Sequence, residues 1–414
     1  MTLDIDSPAV FAAGPPWLAL ALMDARNRSL QLLTAFESAL EGRDWPSADE
    51  CAAAGVASPA WLFGHIGWFG ERWVVRNLHR RKGAHAPAGG VPLASAQPQA
   101  DRSWGEQRSD PAGSGDAAGP PPDLPALREW LLQTQEAVVE LVERSDASDD
   151  ALYFARLALL HEDRRCEELL SVAQALGLPL RLDMAAVMSP REPLRLPATR
   201  WTLAALPAGL VTPIEAGSRV ESLPELEIDA QAVRWSQFIE FVDDGGYDHE
   251  SLWHPDGWRW LQQNQRRAPR YVEQIGVASG AVLQTRFGKP VRLAGAQAVT
   301  HVCWWEADAW CRWAGRRLPS EAEWVYAACT AGRRGFRFGE VHEWTASTLR
   351  AWRDGSTPAW AADWAGSGIA ACGQARVLRG ASALARRRLH DPHRRAFALP
   401  HEDGGFTGFR SCAL

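Results

Sequence analysis

Residues 302–328 constrain the fold of this 414-residue chain more than any other stretch. They read VCWWEADAWCRWAGRRLPSEAEWVYAA, a dense run of Trp, Arg and acidic residues. Within it, residues 304–324 follow the pattern W-x-E-A-x-A-x-C-x-W-A-G-R-R-L-P-S-E-A-E-W. Because so many spacings are fixed, the stretch predicts one particular fold for the C-terminal half. Large aromatic side chains mostly fill cores, so we expect Trp304, Trp313 and Trp324 to be core or loop anchors.

The first 180 residues have the periodicity of amphipathic helices. Apolar residues recur at helical spacing over 17–40, 124–144 and 150–176, as on the buried face of a helix. A further helix is predicted from residue 58 to about 81, because Ser58 and Pro59 form a favoured helix start. Four helices of similar length predict a four-helix bundle over residues 1–180.

Two stretches between the predicted elements have the composition of loops. Residues 83–122 are rich in Gly, Pro, Ala, Ser and Asp, and 106–122 are expected to be disordered. Residues 181–200 contain three prolines and little periodicity, which predicts a linker. From 201 to 414 the pattern changes to short apolar segments and frequent glycines. An irregular α+β domain is therefore expected, with helices at 234–243, 305–314 and 320–329.

Bulk composition narrows the possible partners. A net charge of −6 and a pI near 6.0 give no electrostatic basis for binding nucleic acid or an anionic membrane, and no apolar run is long enough for a membrane span. The N-terminus is acidic where a secretory signal would be basic. The seven scattered cysteines indicate thiols in a reducing compartment. We therefore expect a cytoplasmic protein without a nucleic-acid or membrane partner; the oligomeric state is left open.

Two histidines are the first candidates for chemistry. His65 lies on the second predicted helix and His161 on the fourth. Side chains from facing helices meet in the core of a bundle, where imidazole is a natural ligand for iron or zinc. For a single histidine, an ordinary position on a helix is the more frequent explanation. Here, Gly64 and Gly67 flank the first histidine, and an acidic run follows the second.

These motifs resemble a known two-domain family. The stretch S-P-x-x-W-x-x-G-H-x-x-W-F followed by a distant H-E-D-x-x-x-E is similar to the DinB-like helical domain of ergothioneine sulfoxide synthases and selenoneine synthases. The 304–324 pattern resembles the formylglycine-generating-enzyme, or sulfatase-modifying-factor, domain, whose α+β fold is C-type-lectin-like. The stretches at 336–347, 377–382 and 408–414 are closer to the selenoneine branch. The resemblance covers essentially the whole chain.

The resemblance implies an activity and a set of site residues. Family members use non-haem iron(II) and oxygen to join sulfur or selenium from a small donor to hercynine (trimethylhistidine). Three histidines hold the iron, and His65 and His161 match two of them. Phe397, Arg410 and Arg395 match the substrate side of the pocket. The histidine pair is then expected to face the loops around Phe397 and Arg410, between the two domains.

The third ligand position departs from the family pattern. It is Arg165, four residues after His161 and therefore on the same helix face. A guanidinium has no lone pair for a metal. A replacement carboxylate could come from Glu162, from Glu167 or from the other domain, and a nearby carboxylate such as Glu162 or Glu167 could instead pair with Arg165.

Further departures leave two functions open. The Tyr-Pro-Gly-Phe loop of the family is missing, the Asn that precedes the pocket aromatic is Ala396, and His342 stands where a Trp is usual. One hypothesis is an iron-dependent C–Se or C–S bond-forming enzyme with an altered metal shell. The other is a paralogue that has lost catalysis and retains the fold as a small-molecule-binding or regulatory protein. The formylglycine-generating reaction itself is disfavoured, because Cys372 and Cys412 do not form its local cysteine pattern.

Overall fold

The structure is a computed structural model that describes residues 4–87, 93–95, 97, 100–105, 123–182, 189–204, 208–276, 281–352 and 357–414. Its N-terminal part is helical. The helices are α1 (Pro15–Leu40), α2 (Ala48–Ala54), α3 (Pro59–Gly70), α4 (Ala100–Trp104), α5 (Leu124–Glu143) and α6 (Asp149–Ala175). Both α1 and α3 pack against α5 and α6, so the predicted four-helix bundle is confirmed.

Local sequence explains where the long helices begin. The Ser58 hydroxyl accepts a hydrogen bond from the Trp61 N–H at the start of α3, and Ser148 does the same for Ala151 at the start of α6. These bonds satisfy backbone donors that a helix start leaves without partners. The second helix is shorter than predicted. After Gly70 the chain widens into a π-helical turn, and a separate 3₁₀ segment follows at Arg80–His85.

The C-terminal part is the expected α+β domain. Its helices are α7 (Trp235–Asp243), α8 (Pro255–Asn264), α9 (Trp304–Trp313) and α10 (Glu321–Thr330). Its strands are β1 (Leu194–Leu196), β2 (Thr199–Ala204), β3 (Ser218–Leu223), β4 (Leu226–Ile228), β5 (Val272–Gly276), β6 (Ala281–Arg286), β7 (Lys289–Leu293), β8 (Arg316–Arg317), β9 (His342–Thr348), β10 (Arg376–Arg379), β11 (Ala396–Ala398), β12 (Thr407–Phe409) and β13 (Cys412–Ala413). They form sheets in the orders β1-β4-β13-β8, β11-β10-β9-β12, β5-β6-β7 and β2-β3.

The 304–324 pattern builds the centre of this domain. Trp304 and Trp324 are buried, and Trp313 is half-buried and donates to Asp244. Glu306 and Glu323 cap the starts of α9 and α10 by accepting backbone N–H groups. Glu306 and Glu323 of the pattern therefore stabilise helix starts. The burial of the tryptophans agrees with their expected role as core or loop anchors.

The sequence boundaries between the domains differ in detail from the structure. Strand β1 lies inside the predicted linker and pairs with β4, so the C-terminal sheet begins before residue 201. Its alternating Leu-Arg-Leu is too short for periodicity to reveal. Residues 106–122, expected to be disordered, lie outside the described residues. Helix α4 and Ser95 fall within the predicted loop. The Asp101 carboxylate of α4 pairs with Arg76 at 2.7 Å.

Buried polar contacts join the two domains. Arg388 forms two hydrogen bonds of 2.6 and 2.7 Å to Asp163 of α6. The Gln174 amide donates to the carbonyl of Thr285 and accepts from the N–H of Phe287. The seven cysteines form no disulfide. Among the described helices, none is both long and apolar enough to cross a membrane.

A candidate active site at the domain interface

The structure brings His65 and His161 together between α3 and α6. Their ring centroids are 4.9 Å apart, with planes inclined by 62°. Both side chains are fully buried. These two residues, called the histidine pair below, are close enough for both rings to contact one small ligand.

Aromatic side chains enclose the histidine pair. Trp61 stacks on His65 at 4.5 Å, and Phe69 stacks on His161 at 4.0 Å with planes inclined by only 8°. Trp61 and Phe69 lie four residues before and after His65, so helix geometry places all three on one face of α3. From the C-terminal domain, the Trp364 ring meets His161 edge-on at 5.3 Å. The interface between the domains therefore closes over the pair.

A backbone carbonyl sets the tautomer of His65. Its Nδ1 lies 2.6 Å from the carbonyl oxygen of Trp104 in α4. Because a carbonyl can only accept, Nδ1 carries the proton, and in the neutral ring Nε2 then carries the lone pair. A backbone partner on the distal nitrogen is also how ligating histidines are usually oriented.

Both imidazoles are neutral in the folded protein. Burial, followed by the charge of Arg165, holds the pKa of His65 well below its usual value, although the backbones of Trp104 and Asp363 act in the opposite direction. Burial, followed by the repulsion that a second protonated ring at His65 would cause and by the charge of Arg165, lowers the pKa of His161 in the same way. Desolvation disfavours the charged form of a buried imidazole.

Arg165 occupies the position where the family pattern has a third histidine. Its Nε donates to His161 Nε2 at 3.3 Å, and its guanidinium carbon lies 5.1 Å from the Trp61 ring centroid. Its Nη1 pairs with Glu168 at 2.7 Å. Arg165 therefore pairs with a nearby carboxylate as expected, but the partner is Glu168 and not Glu162 or Glu167. Glu168 lies three residues further along α6, on the same face, and reaches solvent.

The two candidate carboxylates point elsewhere. Glu162 accepts from Arg26 at 2.8 Å and from Ser29 at 2.7 Å. Both partners lie on α1. Glu162 directly follows His161, and because successive residues of a helix are rotated by about 100°, its side chain faces α1 and not the histidine pair. Glu167 is hydrogen-bonded to His342 Nε2 at 2.8 Å and to the Ser382 hydroxyl. Both carboxylates stabilise packing between elements.

These residues do not fit the iron site of the family. The His161 Nε2 lone pair already accepts from Arg165, and the guanidinium charge repels a cation. The proton of His161 then lies on Nδ1, which is buried without a hydrogen-bond partner among the described residues. In the described part of the chain, no three His, Cys, Asp or Glu side chains are placed to hold a metal ion.

The predicted substrate residues have partners within the C-terminal domain. Arg410 is fully buried and pairs with Glu343, and Arg395 pairs with Glu321 at 2.7 Å. Phe397 lies in β11 and packs in a small apolar cluster. Among the described residues of the C-terminal domain, the histidine pair contacts Trp364 and Asp363 and not the surroundings of Phe397 and Arg410, where the sequence had placed it.

Sequence reasoning missed three residues at this interface. Trp364 covers the pair, and the Trp-rich 360–364 segment gave no signal that distinguished it from core tryptophans. His342 and Ser382 hold Glu167. The unusual histidine at 342 was a visible signal, since a buried histidine commonly faces a carboxylate, but nothing in the sequence named its partner.

Comparisons with known proteins agree with this architecture. The DinB superfamily model matches residues 21–165, and the sulfatase-modifying factor enzyme 1-like domain matches 204–339. The hercynine oxygenase of Mycolicibacterium thermoresistibile is 28% identical, covering 87% of this chain and 77% of the relative. The hercynine oxygenase of Mycolicibacterium smegmatis is 27% identical, covering 78% of this chain and 72% of the relative. This chain therefore carries a DinB-type helical domain and a sulfatase-modifying-factor-type domain, and over most of its length it is similar to hercynine oxygenases at 27–28% identity.

The chain also has a shorter match to a relative of a different kind. The inactive C-alpha-formylglycine-generating enzyme 2 of Mus musculus is 31% identical over 119 residues, covering 28% of this chain and 32% of the relative. The same scaffold therefore occurs in proteins named for an enzyme and in proteins named as inactive. Function has to be argued from the site.

Proposed function

We propose that this protein binds a hercynine-type small molecule where the histidine pair meets Trp364, and that its iron centre has been lost. The ligand class is supported by kinship to hercynine oxygenases over most of the chain. It is also supported by the aromatic side chains around the pair, because the faces of Trp and Phe attract quaternary ammonium groups such as that of hercynine. The reducing compartment indicated by seven thiols favours a cytoplasmic location.

The contact between Arg165 Nε and His161 Nε2 carries the proposal. It uses the lone pair that a metal would need, and it holds a cation over Trp61. A ligand cation therefore has to displace Arg165. The Arg165 side chain could move toward solvent together with its partner Glu168, whose side chain is 40% exposed.

A second candidate is the finer activity implied by the resemblance. It is iron(II)- and oxygen-dependent formation of a C–Se or C–S bond on hercynine with a seleno- or thio-donor, as in selenoneine or ergothioneine biosynthesis. The specific observation in its favour is that the Trp104 carbonyl holds His65 at Nδ1, which is how ligating histidines are usually oriented. It requires a ligand set other than His65, His161 and Arg165.

Iron(II) titration under nitrogen distinguishes the two candidates. Calorimetry is run on the wild type, on Arg165→His and on Arg164→His, a matched control that places histidine one position around the helix. We expect stoichiometric binding only for Arg165→His, because only that change returns a histidine to the face of His161. Tight stoichiometric binding by the wild type would show that the iron centre is intact.

The ligand class has its own test. Hercynine and histidine are titrated into metal-free wild-type protein, with Trp fluorescence as the signal. A cation–π contribution of about 0.5–2 kcal/mol predicts roughly 2- to 30-fold tighter binding of hercynine. Equal affinities, or none, contradict the ligand class. Mass spectrometry after incubation with iron(II), oxygen, hercynine and a thiol or selenol tests turnover; a C–S or C–Se product establishes the second candidate.

A further inference from the structure

Cys329, His393 and Asp391 form a connected chain of side chains away from the histidine pair. Cys329 lies near the end of α10, and its Sγ is 3.9 Å from His393 Nε2. His393 Nδ1 is 3.0 Å from Asp391 Oδ1. A nucleophile beside a base that a third group orients is the arrangement of a nucleophilic side chain with its activating base.

The loop between Asp391 and His393 fixes the geometry of the imidazole. Asp391 is 5% exposed, and its Oδ1 also accepts the backbone N–H of His393 at 2.8 Å. The carboxylate thus orients the ring with Nδ1 toward itself and Nε2 toward the sulfur. The Asp391 hydrogen bond, together with Cys329, raises the pKa of His393 to about 9 despite partial burial. The ring is therefore an imidazolium at neutral pH.

An adjacent imidazolium stabilises a thiolate. A thiolate at Cys329 would need this imidazolium, because Cys329 lies near the C-terminal end of α10. That end of a helix carries partial negative charge and disfavours an anion. Cys329 is also exposed, whereas the other six cysteines are buried or partly buried. It is therefore the thiol that a reagent in solution reaches most readily.

A cavity adjoins this group. Its volume is about 350 Å³, and its lining includes Asp391, His393, Pro8, Phe11 and Leu210. This volume is at the lower end of small-molecule sites. The imidazole thus lies between the thiol and a partly apolar space that can hold the remainder of a small reactant.

We propose that Cys329 is a reactive thiolate that exchanges with low-molecular-weight disulfides bound beside His393. The Cys329 sulfur attacks one sulfur of R–S–S–R and forms a mixed disulfide with the protein. The S–S bond of the reactant breaks, its second sulfur takes the electron pair, and the released thiolate accepts the proton of the His393 imidazolium. Cys329 is oxidised and the departing sulfur is reduced. This site is independent of the proposed function of the histidine pair.

The test is the pH dependence of the reaction of the full-length protein with oxidised glutathione and with an aromatic disulfide, 5,5′-dithiobis(2-nitrobenzoate), from pH 5 to 10. A free thiol with a pKa near 8.5 is only about 0.3% ionised at pH 6. A neighbouring imidazolium favours the anionic form of a thiol, and a thiolate stabilised in this way is intrinsically less nucleophilic. We therefore expect roughly tenfold faster reaction than free glutathione at pH 6.

Three variants identify the cause. Cys329→Ser should lose the fast reaction. His393→Gln, at a side chain that is 34% exposed, should lose about tenfold at pH 6 and return to a profile with a midpoint near 8.5. His401→Gln, at an exposed histidine of the same domain, should match the wild type. A wild-type midpoint near 8.5 that His393→Gln leaves unchanged, or modification located at another cysteine by mass spectrometry, overturns the proposal.

Discussion

Replacing Arg388 with Met is expected to lower the free energy of unfolding by about 3–5 kcal/mol. The Arg388 guanidinium is fully buried between the domains, and it donates to both carboxylate oxygens of Asp163, whose side chain is 1% exposed. A further bond of 2.8 Å joins it to Asp24. Removing one partner of a buried ion pair leaves a charge without compensation, and this typically costs about 3–5 kcal/mol.

Two further variants separate the buried charge from the general loss of an arginine. Arg386→Met removes a neighbouring, half-buried arginine that pairs with Asp24 at 2.5 Å, and partly exposed pairs contribute only about 0–1 kcal/mol. Arg388→Met combined with Asp163→Leu removes both buried charges, so most of the lost stability should return.

Urea unfolding at pH 7, followed by Trp fluorescence, measures all four proteins. Since Arg388 joins α6 to the C-terminal domain, its loss should also separate the unfolding of the two domains into two transitions. A cost below about 1 kcal/mol for Arg388→Met would refute the reasoning. A double variant as unstable as the single one would place the stabilisation in the contact with Asp24 instead.

Two buried carboxylates give further predictions. One makes the free energy of unfolding rise with pH, and the other makes it fall. Burial would raise the pKa of Glu167, but the charge and hydrogen bond of His342 outweigh it and hold the pKa at about 2. Because this is below the unfolded value of 4.5, the stabilisation is present above pH 4.5 and lost as the pH falls toward 2, about 3 kcal/mol in all. Glu167→Gln should lose less stability than the wild type between pH 5 and 3 in urea unfolding; parallel curves would contradict this. Burial raises the pKa of Glu306 to about 7, so wild-type stability should fall as the pH rises from 4.5 to 7. Glu306→Gln, which keeps an oxygen to accept the Cys303 N–H, should flatten that fall, and an unchanged slope would show that Glu306 does not titrate there.

Much of the fold follows from the sequence because it rests on local interactions. The helices that became α1, α5 and α6 are defined by apolar periodicity, and Ser58 and Ser148 begin their helices through bonds within one turn. The 304–324 pattern predicted the C-terminal domain and its buried tryptophans. The positions of His65 and His161 on two facing helices were also readable, since helix spacing alone places each on one face.

Only the tertiary structure decided what surrounds those histidines. Arg165 was visible as an altered ligand position, yet its pairing with Glu168 rather than Glu162 or Glu167 depends on which neighbours already hold those carboxylates. Trp364 lies about 200 residues from His161 in sequence and meets it only because the domains pack together. Periodicity and capping act within one or two turns of chain, whereas contacts between domains depend on the simultaneous packing of many side chains. For this reason the sequence located the histidine pair, but only the folded structure decided its environment.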